Sequence, residues 1–67
     1  MNPGPDYNIK DRVRRLIALQ RQVNEQAYRY AREMPDHDVQ QTLDSVISRG
    51  NENIQVLARL LAVKCGT

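Results

Sequence analysis

Residues 34–38, Met34-Pro35-Asp36-His37-Asp38, divide this chain in two, and the division decides the fold. A proline pushes the residue before it out of the helical region, so a helix arriving from the N-terminal side ends at about Met34. Asp36 is then a suitable cap for a new helix, and Asp38 in the first turn favours the positive end of its dipole. A connection this short sets the two flanking segments antiparallel and side by side.

Outward from the break, the N-terminal segment has neither proline nor glycine between about Asn8 and Glu33. Apolar residues recur at Ile9, Val13, Leu16, Ile17, Val23, Ala27, Tyr30, Ala31 and Met34, the three-and-four spacing of one helical face. This predicts a helix over about 8–34, with Asp6 or Asn8 as its cap and Pro3, Gly4 and Pro5 as an irregular lead over 1–7. Beyond the break, Val39, Leu43, Val46, Ile47, Ile54, Leu57, Leu60 and Leu61 mark a second helix over about 37–65. Lys64 suits its last turn, and Gly66 is placed to cap it. The expected fold is all-α, a single antiparallel two-helix hairpin over 1–67 with its turn at 34–37, about 40 Å long at 1.5 Å per residue.

A chain of 67 residues buries little by itself, and cores of this size rarely yield more than about 3–5 kcal/mol. One cysteine, Cys65, allows no disulfide within the chain, and that thiol with the single His37 makes no zinc-binding set. Assembly is the remaining way to add stability. The composition of the second helix agrees. Ile54, Val56, Leu57, Leu60, Leu61 and Val63 cover more of the helix circumference than one partner helix shields, and Ile17 and Leu19 add a second flank on the first helix. These eight residues are the expected core and dimer interface, and the expected assembly is a four-helix bundle of two hairpins.

The segment Arg49-Gly50-Asn51-Glu52-Asn53 interrupts that apolar pattern. With the turn near Pro35 and Asp36, residues at one level of the hairpin have numbers summing to about 71, which sets Gln20 beside Gly50 to Asn53. Continuing the first helix through Val13, Leu16, Gln20, Val23, Ala27, Tyr30 and Met34 turns Gln20 inward, so Gln20, Asn24, Gly50 and Asn53 form a polar layer across the middle. Glu25 and Glu52 lie on its rim. Buried amides that bond to one another fix register and oligomeric state, while Gly50 permits close helix approach at about 1 kcal/mol of helix propensity.

Gly50-Asn51-Glu52-Asn53 followed by Leu57 and Leu60 resembles the second helix of ferritin-like hairpins, and the run Val23 to Ala31 resembles their aromatic-bearing first helix. Small coat-F-type sporulation proteins of spore-forming bacteria are similar in size and pattern. The chain spans one hairpin, half of the usual ferritin-like domain. The resemblance implies a sporulation-related role and a relict of a di-iron site. Gly50 stands where that site has a glutamate, Asn53 where it has a histidine, and Gln20 where the first helix has a carboxylate. Neutral amides do not offset metal charge, so neither a metal nor another cofactor is expected.

Other chemistries fail on inventory. Ser45 and Ser48 lie turns away from His37, which leaves no nucleophile with a base, and the isolated glycines build no phosphate loop. No enzymatic activity is expected. Charge is uneven: residues 7–34 carry seven basic and three acidic side chains, while the remainder from Pro35 carries three and four. Lys10, Arg12, Arg14, Arg15 and Arg21 are therefore the candidate contacts to nucleic acid or another anionic partner. Their scatter around the helix and a net charge of only +2 make that the alternative, not the leading expectation. No membrane association is expected, because the basic helix lacks tryptophan and phenylalanine and its apolar face has a partner. The N-terminus shows neither a basic nor an apolar targeting region, which points to a cytoplasmic protein. The expected function is that of a structural or interaction module that pairs with itself, or with a partner protein's helix in the groove it presents.

Overall fold

The computed structural model describes residues 5–65, with side chains over 9–64. Two helices, α1 (Pro5–Glu33) and α2 (His37–Cys65), form an antiparallel hairpin. Helix α1 starts three residues before the expected boundary. Proline is disfavoured inside a helix but fits its first position, where the missing N–H has no partner to lose, so Pro5 opens the helix and Asn8 lies within it. The proposed Gly66 cap and the fate of the Cys65 thiol lie outside the described residues.

The turn is fastened from both sides. Asp36 Oδ1 accepts hydrogen bonds from Asp38 N at 2.9 Å and Val39 N at 3.2 Å, while the Asp36 carbonyl accepts from Gln40 N at 3.0 Å. Gln40 Nε2 donates to the Met34 carbonyl at 2.8 Å, satisfying one of the carbonyls left free at the end of α1. Replacing Asp36 with Ala removes both side-chain cap bonds and is expected to cost about 1 kcal/mol, within the usual range of about 0.5–2 kcal/mol. A shift in urea midpoint at fixed protein concentration reads this out, and an unchanged midpoint contradicts it.

Facing rows run along the two helices in strict alternation of three and four residues. On α1 the inward row is Val13, Ile17, Gln20, Asn24, Ala27 and Ala31; on α2 it is Gln40, Leu43, Ile47, Gly50, Ile54, Leu57 and Leu61. That spacing averages 3.5, the period of a coiled-coil seam. Leu16, Val23, Tyr30 and Met34, expected inward, are instead exposed, with Val23 and Tyr30 each 49% accessible. Val13, Gln20 and Ala27 of the expected row do face α2, whereas Ile17, Asn24 and Ala31 take the places expected for Leu16, Val23 and Tyr30, a roll of about 50°, for a steric reason: Ala27 with Ala31 lets α2 come close, whereas Tyr30 would hold it off.

The resulting core is thin. Val13, Ala27 and Ala31 are the only buried hydrophobic residues among those described, and no large side chain there is fully buried. The hairpin measures 51 × 23 × 13 Å, one helix thick.

Candidate functional site

The two sides of this flat hairpin differ in chemistry. Leu19, Val23 and Tyr30 of α1 line an open groove with Leu43 and Val46 of α2 on one side. At 100° per residue, Leu16 falls in line with Val23 and Tyr30, while Asn53 and Leu60 fall in line with Val46. Leu16, Leu19, Val23, Tyr30, Val46 and Leu60 are all substantially exposed, so this side is an apolar face with no cover. The opposite side is polar. Arg21, Asn51 and Gln55 meet there, and nearer the turn Tyr28, Arg32, Gln40 and Asp44 gather, with the Arg32 guanidinium 5.5 Å from the Tyr28 ring centre.

The eight interface residues chosen from sequence divide into two groups. Ile17, Ile54, Leu57 and Leu61 are half-buried in the seam between α1 and α2. Leu19, Val56, Leu60 and Val63 are exposed; Leu19 and Leu60 belong to the apolar face, while Val56 and Val63 point further round, away from α1. Tyr30 and Val23 join the face from the row that sequence reading had turned inward. Their heptad spacing with Leu16 is the signal for them, and it marks a face beside the seam rather than the seam itself.

Between the two sides runs a chain of amides. Asn53 Nδ2 donates to Gln20 Oε1 at 3.5 Å, Gln20 Nε2 to Asn24 Oδ1 at 3.3 Å, and Asn24 Nδ2 to Asn51 Oδ1 at 3.0 Å. The chain begins at Asn53 on the apolar side and ends at Asn51 on the polar side. It crosses the seam over Gly50, which is buried and has no room for a side chain: a Cβ there would overlap Asn24 Oδ1 and stand 2.8 Å from Gln20 Nε2. Gln20 and Asn24 are half-buried, whereas Asn53 and Asn51 are exposed at the two ends. Asn51 was not anticipated as a member, because it lies well off the seam and enters only through the reach of Asn24.

This donor set does not fit a di-iron centre. Each polar head in the layer is a neutral amide engaged with another amide, and Glu25 and Glu52 point outward as exposed side chains. Among the described residues no three His, Cys, Asp or Glu side chains converge where they could hold a metal ion, and no helix is long and apolar enough to cross a membrane. The basic residues also part company. Lys10, Arg14 and Arg21 lie along the polar flank of α1, Arg12 lies on the apolar flank, and Arg15 faces away from α2. Comparison with known proteins finds no matching family model, no matching curated sequence and no matching solved structure.

Proposed function

We propose that this chain is a non-enzymatic structural and interaction module that works as a pair of hairpins, with the apolar faces of two copies closed on each other in a four-helix bundle. Surface area is the observation that carries the reading. One chain exposes 5574 Å², whereas a compact folded monomer of its 7.7 kDa mass exposes about 4,300 Å². Two separate hairpins therefore expose about 11,100 Å², and a compact body of twice the mass about 7,200 Å². Closure to that compactness would bury at most roughly 3,900 Å² in total, a ceiling inside the range of about 2,000–5,000 Å² typical of obligate homodimers. Leu16, Leu19, Val23, Tyr30, Val46 and Leu60 are exposed on the face available for closure, and helix-on-helix packing is the arrangement that two flat hairpins offer.

Light scattering over a concentration series tests this directly. The expected mass is about twice 7.7 kDa at micromolar concentration, with a thermal midpoint that rises as protein is added, because folding and association are one equilibrium. A folded monomer with a sharp, concentration-independent transition overturns the proposal.

A further inference from the structure

We infer that the two hairpins pair with their turns at opposite ends, and that Asn53 lies at the two-fold axis, where its amide bonds the same amide of the second copy. This rests on the self-association proposed above and adds the orientation and the residue that sets it.

The argument starts from an oddity of the apolar face. On α2 the outer row runs Val46, Asn53, Leu60 at heptad intervals, so an amide occupies the middle of an otherwise apolar row. Asn53 gives one N–H to Gln20, and a primary amide has two N–H donors and a carbonyl oxygen. One donor and one acceptor are left on an exposed residue whose row closure would dry. A two-fold interface asks each surface to complement itself, and a primary amide does so with a donor and an acceptor side by side.

Position along the hairpin agrees. The midpoint of α2 (His37–Cys65) is Asn51, two residues or about 3 Å from Asn53, so an axis at Asn53 leaves the two copies overlapping over nearly their whole length. Val46 and Leu60 stand seven residues to either side, and rotation about that axis sets Val46 on the partner's Leu60. On α1 the matching level is residue 18, flanked by Leu16 and Leu19, which meet the partner's Leu19 and the partner's Leu16. Leu16, Leu19, Val46 and Leu60 thus gain apolar neighbours, and the amide gains an amide. With both turns at one end, α2 would lie on the partner's α1, and Asn53 would face the partner's Leu19 with its free donor and acceptor unmatched.

Cysteine cross-linking separates the arrangements. In a Cys65→Ser background, Asn53→Cys is expected to oxidise to a covalent dimer, because the axis sets the two residue-53 side chains against each other, and without the intervening amides the helices can close until the Cβ atoms reach the roughly 3.5–4.5 Å that a disulfide needs. Turns at one end predict the reverse: N53C stays reduced by itself and forms a mixed disulfide only with L19C chains. Asn53→Asp provides a second measurement that keeps the side-chain shape. Paired carboxylates at the axis are expected to raise the dimer Kd at least tenfold at neutral pH, with recovery on acidification toward the ordinary aspartate pKa of about 3.9. A dimeric wild type whose N53C variant does not cross-link, or whose N53D variant pairs normally at neutral pH, overturns the placement of Asn53 alone. A monomeric wild type overturns the self-association as well.

Discussion

Leu19→Glu and Val46→Glu in one chain are expected to dissociate the assembly and to remove most of its helical signal. Both side chains line the open groove on the apolar face, one from each helix, and neither is needed to close the seam between α1 and α2. A pair of such chains brings four carboxylates into the interface. At about 1–2 kcal/mol each, well below the roughly 3–5 kcal/mol of a fully buried unpaired charge, the total raises the Kd by about a thousandfold or more. Loss of helix follows from the thinness of the single hairpin: Val13, Ala27 and Ala31 are its buried apolar residues among those described, and helices without a packed face are marginal in water. The control places equal charge on other exposed positions. Gln55→Glu on the polar side together with Gln41→Glu is expected to leave mass and circular dichroism unchanged. If the L19E/V46E chain keeps the mass and helicity of the wild type, the apolar face is not where the copies meet.

The turn and the rows of α1 show where sequence reading succeeds and where it stops. The break at Met34-Pro35-Asp36 was legible because its causes are local: a proline ring, and a carboxylate two and three residues before the amides it caps. Helix α2 is legible for a similar reason, since its apolar residues keep one helical register from that cap to Leu61 on both sides of the Arg49–Asn53 interruption. Which row of α1 faces α2 was not legible. Val13, Ile17, Ala27 and Ala31 form one row, and Leu16, Val23 and Tyr30 form another about 80° away, with comparable hydrophobicity. The expected inward row, Val13, Leu16, Gln20, Val23, Ala27, Tyr30 and Met34, mixes members of both. The hairpin uses the first, because small residues at the seam permit close approach and leave the large ones for an outer layer. Helix α1 carries two apolar rows, and periodicity by itself does not rank them.

The amide layer was better encoded, because level across a hairpin depends on turn position alone. A turn near Pro35 pairs Gln20 with Gly50 to Asn53 whichever way the helices roll, and Gln20 does bond Asn53. What the sequence withheld was direction. Only in the folded hairpin does each amide donate to the next from Asn53 through Gln20 and Asn24 to Asn51, so that both ends of the chain reach a surface.

Gly50→Leu is expected to destabilise the protein by about 2–3 kcal/mol, and the cost is expected to shrink once the amides are gone. The position has no space. A Cβ would overlap Asn24 Oδ1 and stand 2.8 Å from Gln20 Nε2 and 2.9 Å from Asn24 Cγ. These are side-chain ends that can swing aside, but swinging aside breaks the Gln20–Asn24 and Asn24–Asn51 hydrogen bonds. For Gly50→Ala, the lost bonds at about 0.5–1.5 kcal/mol each meet a helix-propensity gain of about 1 kcal/mol, so the net change is small. Leucine gains a similar propensity but adds three further carbons to a seam closed around glycine, and overpacking of that kind costs about 1–3 kcal/mol. Gln20→Ala with Asn24→Ala empties the space the leucine needs. In that background Gly50→Leu fills a void rather than displacing hydrogen-bonded groups, and a double-mutant cycle is expected to show coupling of at least about 1 kcal/mol. Urea midpoints at one fixed protein concentration supply all four corners. A Gly50→Leu penalty that is the same with and without the amides would mean that the glycine serves something other than their passage across the seam.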